Sequence, residues 1–401
     1  MQTVIIGAGI AGTLCAYALQ QRGIAARVLE RHNDAAQESS FANGAQLSYG
    51  ICDPLADPAL LPKLPAILLG RDPAFRIGRN PDPRLLRWGL SFLRESRTSR
   101  RDQRAAELLK LSARSRALMP AVAAAVAPGS GLGEPVGKLV LLPHEPSAET
   151  HRRAALKGQY GHAVELLDRS AALALEPALE AWRDNFAGAL LAPEDTALDA
   201  RSFCQQTAQW LMQQGVRFDF GCSVEQLRPV SAGSWQIVTD GGVIEADAVV
   251  VCGNLGSAEL LEPLGIRVPV LAMRGYSLTL RAAAMSPKTS ITALKHRLVF
   301  TRLGDRVRIA GFADINPRTA PEQRFAELRA TARAIAPAAA DYDDELEPPW
   351  WGDRGMTPTS VPLLGATERP GLFLNVGHGM YGWTLGAACA ERTADAVARY
   401  A

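Results

Sequence analysis

Thr3-Val-Ile-Ile-Gly7-Ala-Gly9-Ile-Ala-Gly12 opens the chain with an apolar strand that runs directly into a G-x-G-x-x-G turn and on into a helix-forming stretch. Glycine at these three positions lets the backbone turn tightly, approach a pyrophosphate and pack the new helix on its sheet. The helix N-terminus then offers free N–H groups and a partial positive charge to the phosphates. Ala25-Ala-Arg-Val-Leu-Glu30 reads as a second strand, ending on an acid 18 residues after Gly12. A carboxylate there accepts hydrogen bonds from the ribose hydroxyls of an adenosine and opposes a 2′-phosphate. Together these features predict a dinucleotide site; a doubly wound sheet that keeps the turn without a ligand is the alternative. A chain that starts at residue 2 with no leader favours FAD by association.

The 401 residues are enough for two domains. Apolar content of 47% and charged content of 21% are those of a globular protein, and a net charge of +2 gives no nucleic-acid signal. Cys15, Cys52, Cys204, Cys222, Cys252 and Cys389 are scattered without a C-x-x-C pair, so buried thiols are expected, with no metal site and no disulfide framework. Met1 is followed by neither a charged leader nor an h-region, so no secretory signal is expected. No apolar run reaches the roughly 18 residues of a membrane span.

Residues 33–50 read as a polar, Gly-rich loop, and 51–100 as Pro-rich and irregular with apolar clusters. Helices are expected over 102–126, 147–158, 201–214 (N-capped by Asp199 and ended by Gly215), 321–336 and 384–400. Ala246–Cys252 and Gly371–Val376 read as fully buried strands, the first parallel to the opening strand. Residues 270–312 alternate with period two, as an antiparallel sheet does. Sheet strands with Gly-rich turns at both ends, and antiparallel material between, describe a dinucleotide domain assembled from separate segments with a second domain inserted.

Seven segments in order carry a resemblance: Gly7-x-Gly9-x-x-Gly12 with Glu30-Arg31; Ser39-Ser-Phe-Ala-Asn43-Gly44-Ala-Gln46-Leu-Ser48; Phe203 through Leu227; Val249-Val-Val-Cys252-Gly253; Arg274-Gly275-Tyr276-Ser277-Leu278; Arg354-Gly-Met356-Thr357-Pro358; and Leu374-Asn375-Val-Gly377-His378-Gly379-Met-Tyr-Gly382-Trp383-Thr384. The chain resembles the FAD-dependent D-amino-acid oxidase superfamily, most closely the bacterial D-amino-acid dehydrogenase small-subunit group. The resemblance implies an α/β fold: an FAD-binding Rossmann-type (glutathione-reductase-like) domain with an inserted α+β antiparallel-sheet substrate domain. It assigns residues 1–50, 150–175, 197–270 and 355–401 to the FAD-binding domain, and 51–149, 176–196 and 271–354 to the substrate domain.

By the same resemblance Gly7, Gly9, Ile10, Ala11 and Gly12 hold the pyrophosphate, and Glu30 and Arg31 the adenosine. Ser39, Asn43, Gly44 and Gln46 lie along the pyrophosphate, ribityl chain and flavin ring. Val224 meets the adenine through its main chain, and Gly253 ends the strand that returns to the cofactor. Gly377, Gly379, Met380, Tyr381, Gly382, Trp383 and Thr384 place backbone N–H groups and a helix N-terminus at the N1–C2=O edge of a non-covalently held FAD, where reduction adds negative charge. Arg354 resembles the arginine that clamps the substrate carboxylate, and an ion pair with Asp353 is the structural alternative. Tyr276 is a candidate second contact to that carboxylate, or a core strand tyrosine. His378 is a candidate base, although its flanking glycines point to a backbone role.

The activity so implied is oxidative deamination of a D-amino acid, or a related amino or imino acid, to the 2-oxo acid, by hydride transfer from the α carbon to flavin N5. A quinone or other acceptor takes the electrons. An oxygen-using glycine, sarcosine or D-amino-acid oxidase is the alternative, as is the flavin subunit of a multi-subunit hydroxyproline- or opine-type dehydrogenase. Apolar stretches at 60–69 and 85–93, with Trp88 and following arginines, have the make-up of a membrane-surface site; a lid packed on the core is the plainer reading. The expected location is cytoplasmic, or peripheral on the inner face of the bacterial cytoplasmic membrane. The chain departs from the dehydrogenase pattern in three places: Gly355 stands where the group has Pro, Thr359-Ser360 where it has Asp-Gly, and Tyr49 where it has Pro.

Overall fold

A computed structural model describes residues 1–78, 83–127, 132, 135–231, 233–316 and 320–401 of the chain. Thr3–Ile6 lies inside a six-stranded sheet, flanked in parallel by Ala26–Glu30 and Ala248–Val251. Arg217–Phe220 extends the sheet on one side; Leu372–Val376 and then the antiparallel Leu363–Ala366 extend it on the other. All residues of Thr3–Ile6 and Ala248–Val251 are buried, which explains why both strands are apolar apart from Thr3. Ile5, Val28 and Val250 pack under the helices Ile10–Gln20, Ala200–Gln213 and Gly382–Tyr400. Val4, Leu29 and Val249 pack on the opposite face, against Leu227, Trp235 and Ile237 of a three-stranded antiparallel sheet. Asp199 caps Ala200–Gln213 by accepting from the Ser202 N–H at 3.0 Å, and Gly215 follows that helix at φ +87°.

A nine-stranded sheet forms the second layer. Its order runs Ala340–Met356, Leu271–Ala282, Arg306–Ile315, Leu298–Leu303, Ser290–Ala293, Lys138–Leu142, Gly188–Ala192, Glu165–Asp168, with Phe75–Ile77 beside Arg306–Ile315. Its outer face carries Leu139, Leu141, Ile291, Phe300, Ile309, Leu278 and Tyr276, covered by Leu328, Ala332 and Ile335 of the helix Pro321–Ile335. The alternate residues, Lys138, Val140, Thr292, Val299, Ala310, Gly275 and Arg354 among them, line a cavity against the first sheet. Residues 42–48 cross beneath this inner face. The Ala42 carbonyl accepts from Ser277 Oγ (2.7 Å), the Gly44 carbonyl from Thr301 Oγ1 (2.8 Å), and Ser48 Oγ from Lys138 Nζ (2.7 Å).

Three expectations are corrected. Residues 51–100 are not irregular throughout, because Pro83–Glu95 is a helix with buried Trp88 and Phe92 stacked one turn apart, ring centroids 5.1 Å. Glu165–Asp168, assigned above to the FAD-binding domain, pairs with Gly188–Ala192 in the nine-stranded sheet. The helix Thr98–Val126, assigned to the substrate domain, buries Met119, Val122, Ala123 and Val126 in the core beneath Ile10–Gln20 and Gly382–Tyr400. Its amphipathic face suits either core equally well, so composition alone does not assign it.

Candidate active site

The phosphate-type turn is built on glycine for two different reasons. Gly7 adopts φ +102°, and a Cβ on Gly12 would lie 1.8 Å from the Gly7 carbonyl oxygen. The helix that follows has Gly9 at its N-cap and no side-chain cap; the Ile10 N–H donates to Ser40 Oγ at 3.2 Å. Ala11 is buried in its first turn. Glu30 ends the second strand with one oxygen accepting from the Ala8 N–H (2.6 Å) and the other from the His32 N–H (2.9 Å). Arg31 pairs with Glu38 at the rim. Ser39, Asn43, Gly44, Gln46, Val224 and Gly253 stand around the same cavity, of about 940 Å³.

At the other end of the chain, Gly377 (φ +77°) and Gly379 (φ +55°) turn the backbone into the helix Gly382–Tyr400, which has no side-chain cap. A Cβ on Gly377 would lie 2.6 Å from Thr357 Cγ2, so this turn is seated on the strand end that carries Met356. Tyr381 donates its hydroxyl to the Asp53 carbonyl (2.7 Å) and accepts from the Asp53 N–H (3.1 Å). Thr384 Oγ1 accepts from the Ser48 N–H at 3.0 Å. The Trp383 indole points inward, donating to the Leu198 carbonyl, so this residue meets the cavity with its backbone. Met380 is the exposed member of the turn.

Arg354 projects from Ala340–Met356 into the cavity and makes no hydrogen bond or ion pair among the described residues. Asp353 is not its partner: alternation puts that carboxylate on the opposite face, where Arg274 takes both its oxygens at 2.8 Å. Burial holds the Arg354 guanidinium below its ordinary pKa, and neighbouring Asp353 pulls it back up. Tyr276 is corrected. Its side chain leaves the outer face of the sheet, where its hydroxyl donates to Asp314 Oδ2 at 2.9 Å, so it does not point where Arg354 points. Asp314 is in turn held by Arg324 at 2.7 and 2.9 Å, which makes the tyrosine part of a buried ionic cluster.

His378 is also corrected as a base. Asn375 donates its amide to the Ala11 carbonyl (3.2 Å), which turns its Oδ1 toward His378 Nε2 at 2.9 Å. Nε2 therefore carries the proton, and burial depresses the ring's pKa to about 4. The histidine's backbone, bridged to Met356, shapes the turn.

Sequence reasoning missed Asn254, Lys138 and Trp350. Asn254 sits at φ +49° after Gly253; its amide donates to the Asp353 carbonyl (2.9 Å) and its Oδ1 accepts from the Gly355 N–H (3.0 Å). That bond explains one departure from the family pattern, since proline at 355 would have no N–H to give. Ser360, where the group has glycine, keeps φ +63° and binds the Leu55 N–H at 2.9 Å. Tyr49 is buried in the core shared by the first sheet and its helices, and its carbonyl accepts from Ser112 Oγ of the helix Thr98–Val126 at 2.9 Å. Lys138 is buried on the inner face with its pKa brought down by desolvation to about 8. Its signal was visible as a lysine in step with the inward Val140 and Leu142 of one strand.

The cavity's features fit an adenine dinucleotide of the flavin type: uncapped helix N-termini at both ends of the chain, backbone too close for a Cβ at the first turn, and a carboxylate at the end of the second strand. The chain belongs to the FAD dependent oxidoreductase family, whose model matches residues 2–396, and FAD is its cofactor. It is 35% identical over 405 residues to the D-amino acid dehydrogenase of Paramagnetospirillum magneticum, covering 99% of this chain and 95% of that one. It is 36% identical over 414 residues to D-amino acid dehydrogenase 2 of Ralstonia nicotianae, covering 100% and 97%. Among solved structures it is similar in fold to glycine oxidase from Geobacillus kaustophilus, with a TM-score of 0.75, 23% identity, and coverage of 99% and 94%. L-proline dehydrogenase from P. horikoshii gives a TM-score of 0.74 at 18% identity, with coverage of 99% and 93%.

Proposed function

We propose that this chain deaminates a D-amino acid, or a related amino or imino acid, oxidatively to the 2-oxo acid, with FAD held non-covalently. One observation carries the reading: the Arg354 guanidinium ends in the cavity with no protein carboxylate in contact with it, in a chain similar along its length to D-amino acid dehydrogenases. Arginine's planar fork meets a carboxylate through two parallel bonds, fixing rotation as well as position. Gly7, Gly9, Ile10, Ala11, Gly12, Glu30, Arg31, Val224 and Gly253 would hold the adenosine and pyrophosphate. Ser39 to Gln46 and Gly377 to Thr384 would hold the flavin ring. FAD, when bound, accepts the hydride that leaves the substrate's α carbon. The protein's task is orientation: Arg354 fixes the carboxylate, and the inner sheet face shields the α carbon from water. Neither His378 nor Tyr276 takes a proton, and a substrate amine that arrives neutral requires no base. The imino product leaves and hydrolyses in water.

Anaerobic mixing with a panel of D- and L-amino acids and cyclic imino acids tests this. Bleaching of the yellow flavin by D-amino acids is expected; a flavin bleached by none of the panel overturns the reading.

For the acceptor, a quinone at a membrane surface is favoured by the helix Pro83–Glu95. Leu86, Leu90 and Leu93, on its outward face, are 67%, 51% and 46% exposed, and Arg87, Arg94, Arg97 and Arg100 stand exposed around them. Trp88 contributes nothing to this surface, since its indole donates to the Met356 carbonyl at 2.7 Å. No helix of the described residues is long and apolar enough to cross a membrane, so contact would be peripheral. Co-sedimentation with anionic liposomes, lost in the Leu86→Glu/Leu90→Glu variant, is the expected result. Steady peroxide production under air without added dye or quinone would favour the oxidase alternative.

A further inference from the structure

We propose that Gly275 is a positioning residue for Arg354: it is the floor on which the guanidinium lies, and the absence of a side chain there fixes where a substrate carboxylate is held. The inference rests on the carboxylate-binding reading of Arg354.

Gly275 and Gly352 stand directly opposite each other in the antiparallel pair of Leu271–Ala282 and Ala340–Met356. Such a pair normally brings two Cβ atoms within about 5 Å on one face of a sheet. Here both are missing, and neither glycine occupies the left-handed region, so the backbone alone would accept alanine. The space above them excludes it. A Cβ on Gly275 would lie 1.8 Å from Nη2, 2.7 Å from Cζ and 3.3 Å from Nε of Arg354. A Cβ on Gly352 would lie 1.9 Å from Cη2 and 2.4 Å from Cζ2 of Trp350. Two long side chains therefore lie flat over a bare patch of sheet, one entering from each side.

Their support differs. Trp350 is stacked on Phe41, ring centroids 6.0 Å and planes 18° apart, and the Arg201 guanidinium lies 3.9 Å from the Phe41 ring. Arg354 has no carboxylate or carbonyl bond to orient it. Its direction is set by the strand that carries it and the glycine it rests on. A methyl group at 275 would lift the guanidinium by more than an ångström. A displacement of that size at a group that aligns the substrate costs roughly a hundredfold in rate. The group that must yield is the far end of a flexible side chain, so the fold can accommodate the change.

The test compares Gly275→Ala, Arg354→Ala and the double variant as holoenzymes, with D-alanine as substrate and benzoate as a non-reacting carboxylate read by the flavin spectrum. Gly275→Ala is expected to weaken benzoate and lower kcat/KM for D-alanine by roughly tenfold or more, with FAD affinity unchanged. In the Arg354→Ala background the same methyl is expected to change neither quantity by more than about twofold. Equal fold-losses in both backgrounds, or a benzoate affinity that Gly275→Ala leaves intact, overturn the proposal. If Arg354→Ala itself leaves benzoate binding intact, the carboxylate reading falls instead. Should Gly275→Ala fail to hold FAD, the double variant decides. Recovery of a yellow protein with the melting temperature of Arg354→Ala supports the proposal, and its absence overturns it.

Discussion

Arg274 donates from Nε and Nη2 to the two oxygens of Asp353, each at 2.8 Å, and the next residue along, Arg354, is left without a counter-charge in contact. Two adjacent arginine–acid possibilities are resolved by the pleat, which sends 353 and 354 to opposite faces. Arg274 also lies over the Trp351 ring at 3.7 Å, so this outer pair is bracketed by packing. Arg354→Ala is expected to lower kcat/KM by about a hundredfold or more, with Arg354→Lys recovering part of it. Arg274→Met is expected to leave kcat/KM within about threefold and to cost roughly 1–3 kcal/mol of stability, measured by denaturant unfolding.

His378 should not contribute a limb to the pH–rate profile between pH 5.5 and 8. With a folded-state pKa of about 4, below the ordinary imidazole value, the unfolded chain binds the extra proton first. The stability associated with the neutral ring is complete above about pH 6.5 and is lost as pH falls toward 4. Melting temperatures across pH 4 to 7 are expected to drop less steeply in His378→Gln than in the parent. An equal slope in both would contradict the assignment.

Tyr276→Phe separates a structural from a substrate role. The hydroxyl donates to Asp314, which is fully buried with Arg324. Losing it is expected to cost about 1–2 kcal/mol of stability while KM for a D-amino acid stays within about twofold. Asp314→Asn is expected to cost more, roughly 2–4 kcal/mol, because it removes the fully buried counter-charge of Arg324 and leaves that guanidinium only the more exposed Glu327. A raised KM at unchanged stability in Tyr276→Phe would restore the tyrosine to the site.

Gly355→Pro, which inserts the residue common in the dehydrogenase group, is expected to harm this chain. It removes the N–H that satisfies Asn254 Oδ1, and a Cβ at 355 would lie 2.4 Å from that same oxygen. A loss of roughly 1–3 kcal/mol is expected. Pairing it with Asn254→Gly, which removes both the orphaned acceptor and the obstacle, is expected to recover most of the loss in thermal unfolding.

The glycine turn and Glu30 were legible because their signals are local, a strand, a backbone constraint and an acid within thirty residues, and the return strand 248–251 was legible as an unbroken apolar run. The faces of the second sheet were not. Tyr276 and Arg354 both carry groups suited to a carboxylate, and only the pairing of their strands shows that one faces the core and the other the cavity. Asn254 was invisible because its role joins it to Asp353 and Gly355, about a hundred residues away. The helix Pro83–Glu95 was obscured by neighbouring prolines, although proline fits a first turn. Trp88 looked like an interfacial residue until its indole was found on the Met356 carbonyl.

The passage of residues 42–48 beneath the large sheet limits how the molecule can breathe. Ala42, Gly44 and Ser48 are each fastened to a different strand through Ser277, Thr301 and Lys138. Swinging the two sheets apart like a hinge would break all three attachments at once, in surroundings where water cannot readily replace them. The helix Ala148–Gln159 is fastened as well, with Lys157 paired to Asp53 at 2.6 Å and Arg153 to Asp57 at 2.7 Å. The walls of the cavity are thereby clasped at several separate points.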